Sequence, residues 1–336
     1  MAKKILRASQ AEIEAAVQAL RDGDVVAFPT ETVYGLGANA NHVSAVRKVY
    51  ELKQRPLTHP LIVHIDHRRF LHRWAHEVPE VAEKLAERFW PGPLTIVLPR
   101  AANVPDIITG GQDTVAIRVP SHPMAQQLLT AFGGGIAAPS ANRFGRLSAT
   151  RAEHVREEFG DAVRVVLDGG ESQVGLESTI VSCLDGKVRL LRPGAVTLEM
   201  LRSVAGEVEL AGADEHVPRV PGSLASHYAP QTPLQLVLAD ELEATAEQLT
   251  SDQRRIAVLA QRPPLRTYPS VTWINAGSRV DAYAHDLYVN LRTLDKTGCA
   301  HILVQRVPDT PAWDAVRDRL QRAATTYDIE VVEEDG

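Results

Sequence analysis

Cysteine is nearly absent: Cys183 and Cys299 are the only two in 336 residues. They fall in different predicted domains, so no disulfide framework is expected and both read as buried thiols. No apolar run approaches the roughly 18 residues that a membrane helix needs. The start, Met1-Ala2-Lys3-Lys4-Ile5, lacks an h-region and a small-residue cleavage site, so neither secretion nor a signal anchor is expected. A cytoplasmic protein with no membrane partner is the reading. A basic excess is missing too: 36 Lys and Arg face 42 Asp and Glu, for a net charge of −6, which argues against a general polyanion binder. No internal repeat or low-complexity tract appears.

What is present is enough apolar residue for two cores in a chain longer than the usual domain of about 100–200 residues. Residues 1–205 carry strand-like runs at Val25–Phe28, Leu61–Ile65, Leu94–Leu98, Thr114–Val119, Val163–Leu167, Ser178–Val181 and Val188–Arg192. These runs do not alternate strictly with helices. A mixed α+β fold follows, with a twisted mixed sheet and flanking helices. Residues 206–233 turn irregular and end in Val220-Pro221-Gly222-Ser223-Leu224-Ala225-Ser226-His227-Tyr228-Ala229-Pro230, a linker in which an imidazole and a phenol are costly choices for a spacer. Residues 234–336 become regular again: strand-like runs at Leu234–Leu238, Ile256–Leu259, Val271–Ile274 and Ile302–Gln305 enclose helical patterns at Leu242–Leu249, Ala282–Leu294 and Trp313–Ala324. That is a smaller, Rossmann-like α/β domain.

The most telling stretch is Phe28-Pro29-Thr30-Glu31-Thr32-Val33-Tyr34-Gly35-Leu36-Gly37, where an apolar strand feeds into hydroxyls and glycines. Thr30 and Thr32 offer donors and acceptors, while Gly35 and Gly37 read as a loop that lets the backbone turn close to a ligand. Other motifs follow in order: Lys53-Gln54-Arg55-Pro56 after the helix-like Val43–Leu52, then Leu61-Ile62-Val63-His64-Ile65, Trp90-Pro91-Gly92-Pro93-Leu94-Thr95 and Val115-Ala116-Ile117-Arg118-Val119-Pro120. Ala138-Pro139-Ser140-Ala141-Asn142, Leu167-Asp168-Gly169-Gly170, Gly175-Leu176-Glu177-Ser178-Thr179-Ile180 and Leu191-Arg192-Pro193-Gly194 complete the series. Cations at motif ends, among them Lys53, Arg55, Arg118 and Arg192, fit a small anionic ligand better than a long polymer.

With these motifs the chain resembles the YrdC-like family of threonylcarbamoyl-AMP synthases in its long form. The resemblance implies a reaction in two stages. Threonine and bicarbonate form a carbamate, whose oxygen attacks the α-phosphorus of ATP and expels pyrophosphate. Such nucleotidyl transfer rests on positioning and on neutralising phosphate charge. Catalytic roles are implied for Lys53 and Arg55, whose ammonium and guanidinium suit phosphate and carbamate oxygens. Threonine binding is implied for Thr32, His64, Arg118 and Ser178. Nucleotide binding is implied for Arg55, His59, Thr114, Ser140, Asn142, Thr150, Arg192 and Tyr228, with the linker as a lid over the site. Mg2+ is expected as a companion of ATP, and the product is expected to pass to a tRNA threonylcarbamoyl transferase that modifies adenosine 37 of tRNA.

Three positions depart from the family pattern: His59 stands where asparagine is usual before Pro-Leu, Ser226 replaces a basic residue before His-Tyr, and Thr310-Pro311-Ala312-Trp313 replaces a glycine-rich turn. His64, His67, His72 and His76 cluster in sequence, and His72 and His76 have helical zinc-ligand spacing. No third ligand has fitting spacing, and Arg68, Arg69 and Arg73 are interleaved, so no protein-held metal is expected. Two other readings stand beside the synthase: a structured-RNA-binding module, with weak RNA binding in the same concave site, and a nucleotide sensor without turnover.

Overall fold

Consecutive buried residues along strands such as Val26–Phe28 and Ile62–His64, covered on both faces, build one wide sheet. The computed structural model describes residues 8–212, 217–222, 224, 226–250 and 254–325; the leader reading at Met1–Ile5 and the linker's Ser223 and Ala225 lie outside them. Ten strands form the first sheet: β1 Val26–Phe28, β2 Gly35–Asn39, β3 Ile62–His64, β4 Leu94–Pro99, β5 Thr114–Arg118, β6 Ile136–Ala137, β7 Val165–Val166, β8 Thr179–Leu184, β9 Lys187–Arg192 and β10 Glu209–Leu210. Their order is β10-β9-β8-β4-β5-β3-β6-β2-β1-β7. The sheet is mixed, with parallel β3/β5 and β4/β8 beside antiparallel β1/β2, β4/β5 and β8/β9.

Among the described residues, seven α-helices accompany it: α1 Gln10–Arg21, α2 Val43–Lys53, α3 Glu80–Phe89, α4 Asp106–Thr109, α5 Pro123–Phe132, α6 Ala152–Phe159 and α7 Leu198–Ala205. The first shows how sequence sets a boundary. Ser9 and Glu12 form a reciprocal capping box, and Ile13, Ala16, Val17 and Leu20 supply the buried stripe. That stripe packs on Met124, Ala125, Leu128 and Leu129 of α5.

The stretch Gly35–Asn39, expected as a loop, is instead strand β2 between β1 and β6. Small residues are needed there because a Cβ on Gly37 would lie 2.5 Å from Ile136 and 2.8 Å from Phe28. Glycine is depleted in strands, so the pattern disguises this one.

A second sheet follows, with β11 Leu234–Val237, α8 Leu242–Thr250, β12 Ile256–Ala260, β13 Val271–Asn275, α9 Val280–Asp295, β14 His301–Gln305 and α10 Asp314–Ala324. All its pairs are parallel, in the order β11-β14-β12-β13. Ala257 and Leu259 join the apolar cluster of α9 and α10, whereas Ile256, Val258 and Ala260 join that of α8. A parallel sheet buried on both faces reads as a continuous apolar run, and Ile256–Ala260 is one. The α9–α10 cluster also takes in Val33, Leu147 and Leu176 from the first unit and Tyr228 from the segment between, so both units share a core.

Candidate active site

After β1 the chain turns through Pro29–Tyr34 on a threonine rather than a glycine. Thr30 Oγ1 accepts from the Thr32 and Val33 amides, each at 3.2 Å, and donates to the Val33 carbonyl at 2.6 Å. Thr32 Oγ1 sits 2.8 Å from Thr30 Oγ1 and accepts from Arg118 Nη1 at 2.8 Å. Parallel pairing of β3 with β5 sets His64 beside Arg118. Arg118 also donates to Glu31 Oε1 at 2.7 Å and to the Gly92 carbonyl at 3.3 Å, and the ion pair with Glu31 is almost wholly buried. Three of its five N–H groups are engaged, which leaves two for a ligand. Burial and the neighbouring Arg118 guanidinium push the His64 ring down to about 3, and its Nδ1 has no partner. The imidazole is neutral at ordinary pH.

The facing wall comes from β8 and β9. Ser178 Oγ lies 2.8 Å from Thr95 Oγ1, and Arg192 donates to the Ser178 carbonyl at 2.9 and 3.1 Å and to its hydroxyl at 3.2 Å. Over this wall lies the segment after β10. Arg192 Nη1 donates to the Pro221 carbonyl at 2.7 Å and reaches Tyr228 Oη at 3.5 Å. A cavity of about 40 Å³ remains, lined by Thr32, His64, Arg118, Ser178 and Arg192 among others. Sites for drug-sized ligands run from roughly 300 Å³ upward, so this cavity, with Pro221, Gly222 and Tyr228 in its lining, is small.

The structure brings Thr32, Arg55, His64, Arg118, Ser140, Ser178, Arg192 and Tyr228 to this one cavity. Other predicted residues stand back from it. Lys53 is buried and donates to the Ser140 carbonyl at 2.7 Å and, more closely still, to the Asn142 carbonyl, so its ammonium holds a turn rather than facing the cavity. Burial and Arg55 both depress its proton affinity. Asn142 donates to the Arg143 and Arg146 carbonyls at 2.7 and 2.8 Å. Arg55 donates to the His59 and Pro60 carbonyls at 3.2 and 2.9 Å, and burial takes it down to about 10, still charged. His59, driven by burial and Arg55 to about 4, meets the Phe144 ring edge-on at 5.2 Å. Thr150 is buried, with an unpartnered hydroxyl and an amide that donates to His154. Thr114 starts β5 opposite Pro99, about 13 Å along the strand from Arg118.

Glu31, Glu177, Tyr288 and Arg319 escaped the sequence reading. Glu177 Oε2 accepts from Arg319 Nε at 2.8 Å, both oxygens accept from Tyr288 Oη at 3.0 and 3.1 Å, and Ser148 adds a short hydrogen bond. Burial raises the Glu177 carboxyl, but Arg319, Arg192 and Ser148 outweigh it and hold the group below the usual carboxylate range. The only signal in the sequence was an acid directly before Ser178. Glu177, which lines the cavity, and Glu31, which stands behind Arg118, are thus each tied to a guanidinium group and do not fit a protein-held divalent ion. Among the described residues, the group of His, Asp and Glu with metal-like spacing is Glu171, His285 and Asp286, none of which lines the cavity. His72 and His76 instead sit 3.5 Å from Glu83 and 3.7 Å from Glu77.

Residues 18–194 match the family profile described as "Telomere recombination", and residues 196–325 match "Threonylcarbamoyl-AMP synthase, C-terminal domain". A Pyrococcus abyssi protein named "Threonylcarbamoyl-AMP synthase" is 39% identical over 328 residues, covering 95% of each chain. This chain belongs to the threonylcarbamoyl-AMP synthase family. A crystal structure of the P. abyssi protein complexed with L-threonine superposes with a TM-score of 0.88 at 39% identity, over 95% of this chain and 96% of that one. A shorter member of the family from Pseudoalteromonas translucida is 34% identical over 184 residues, covering 53% of this chain and 97% of its own length. Among the described residues, no helix is long and apolar enough to cross a membrane.

Proposed function

We propose that this chain is a nucleotidyltransferase that makes threonylcarbamoyl-AMP and pyrophosphate from L-threonine, bicarbonate and ATP. Its product would pass in the cytoplasm to the transferase that modifies adenosine 37 of tRNA. The observation that supports this most is the convergence of Arg55, Arg118 and Arg192, with a neutral His64 and the hydroxyls of Thr32 and Ser178, on one cavity.

Arg118 has two free N–H groups for the α-carboxylate of threonine, and Thr32 and Glu31 hold its fork in one orientation. His64 and Ser178 then read the amine or the side-chain hydroxyl. A pocket whose buried groups need that hydroxyl rejects analogues lacking it. Arg55, Arg192 and Ser140 line the side assigned to the triphosphate, where fixed positive charge offsets the charge developing on phosphate oxygens. Lys53 and Asn142 act here by fixing the turn that presents Ser140. Magnesium enters with ATP as part of the substrate, held by phosphate oxygens and water. His59, Thr114 and Thr150 do not line the cavity, so a nucleotide role for them needs a site that extends beyond it. The covering segment would close over the mixed anhydride and exclude water.

The deciding experiment incubates purified protein with labelled bicarbonate, threonine and ATP. Labelled threonylcarbamoyl-AMP, with pyrophosphate release that requires both threonine and bicarbonate, is expected. Release indifferent to either substrate, or salt-sensitive RNA affinity without turnover, would overturn the reading in favour of the sensor or the RNA module.

A further inference from the structure

The buried knot of Glu177, Arg319 and Tyr288 supplies no reacting group to the proposed chemistry, yet it is where the C-terminal unit enters the wall of the cavity. Arg319, on α10, is 1% exposed. Its Nε meets Glu177, the residue before Ser178, at 2.8 Å. One of its Nη groups donates at 3.1 Å to the carbonyl of Pro193, the residue after Arg192. Its guanidinium carbon lies 5.1 Å from the centre of the Tyr228 ring. One side chain therefore touches the neighbours of Ser178 and of Arg192 as well as the phenol that covers the cavity. Further along α10, Arg322 donates to the Leu224 carbonyl and accepts at its own carbonyl from the His227 amide at 3.2 Å.

We propose that Arg319 is a positioning residue for adenylate formation: it fixes Ser178 through Glu177 on the threonine side, and seats Arg192 and Tyr228 on the nucleotide side. The C-terminal unit thereby sets the geometry of a site whose reacting groups belong to the first unit. This inference rests on the proposed synthesis of threonylcarbamoyl-AMP. The short P. translucida relative bears the synthase name while matching only about half of this chain, which fits a C-terminal unit that tunes the site. Electrostatics give Arg319 a second task. Glu177 would repel both a triphosphate and a carboxylate if its charge stood uncompensated, and Arg319 compensates it inside the protein, where interactions are strong. The groups that act on or feel Glu177 are Arg319 from α10, Tyr288 from α9, Arg192 from β9, Ser148, Lys53 and Tyr228, and Asp318 pairs with Arg319 from its other side.

The test measures adenylate and pyrophosphate formation by the full chain from pH 6 to 9, with threonine and ATP each varied. Arg319→Met should lower kcat/KM by on the order of 10²-fold through misplacement of Ser178 and Arg192. Its KM for ATP should rise with pH as the unpaired Glu177 ionises, a dependence that wild type lacks. Removing both charges in the Glu177→Gln/Arg319→Met double variant should flatten that profile and recover about tenfold. Arg319→Lys, which keeps the charge but not the fork, should fall between wild type and Arg319→Met. Kinetics of Arg319→Met equal to wild type, or a double variant as impaired and as pH-dependent as the single one, overturns the inference. If Arg319→Met does not fold, Arg319→Lys decides, and unchanged KM for both substrates overturns it. A wild type that forms no adenylate overturns the proposed synthesis and this inference together; a turning-over wild type beside indifferent variants overturns this inference alone.

Discussion

His64 carries the plainest consequence of burial for a single side chain. Its folded ring titrates near 3 against an ordinary 6.5, so the unfolded chain binds the extra proton at mildly acid pH. Stability therefore falls as pH drops below about 6.5, and the loss continues toward the folded value. Between pH 6.5 and 5 this one group costs about 2 kcal/mol. Urea unfolding of wild type and His64→Gln at both pH values should show the smaller loss in the variant; parallel losses would contradict the assignment. In binding, His64→Ala and Ser178→Ala should weaken threonine more than ATP, because His64 lies beside Arg118 and Ser178 lines the same cavity from the facing wall. Equal losses by calorimetry would dismiss that division. At this scale the sequence named residue types well but not their directions. Lys53 appears in a motif rich in cations, and only the fold shows its ammonium turned toward two carbonyls. Tyr288 and Arg319, which hold Glu177, lie 111 and 142 residues away, beyond any local pattern.

Among the elements, long apolar strands and amphipathic helices were legible, whereas β2 was not, since close packing by Phe28 and Ile136 selects glycines that local propensity assigns to loops. The segment covering the cavity was legible as a linker with content, and its geometry gives that content a form. Tyr228 has φ 59°, a left-handed conformation that a non-glycine residue adopts at a cost, and Gly222 at φ 79° brings its backbone against the phenol. A Cβ on Gly222 would lie 1.9 Å from Tyr228 Oη. Gly222→Ala should therefore dislodge the phenol, as Tyr228→Ala removes it. Both variants should lose intact adenylate to hydrolysis and gain protease sensitivity around residues 217–222. Full yield together with an unchanged cleavage pattern would end the idea of a protective cover.

For the whole molecule, composition and length announced two units but not how tightly they join. The seam is a core in its own right: Val33, Leu147 and Leu176 pack with Tyr283, Leu287 and Tyr288 of α9 in one apolar cluster. Close approach of the backbone completes it, because a Cβ on Gly175 would lie 2.3 Å from the His285 carbonyl oxygen. A shared core makes the units unfold together, since neither can expose its half of the seam without the other losing burial. Tryptophans allow this to be watched separately, with Trp74 and Trp90 in the first unit and Trp273 and Trp313 in the second. Wild type and paired Trp→Phe variants should give one coincident urea transition from either set. Leu176→Ala, which empties a site 2% exposed, should cost about 2–5 kcal/mol. Gly175→Ala should push α9 from the first unit and split the transition, with the Trp273 and Trp313 signal moving to lower urea. Non-coincident transitions already in wild type, or a Gly175→Ala protein whose two signals still coincide at the wild-type midpoint, would show that the seam does not bind the units into one cooperative body.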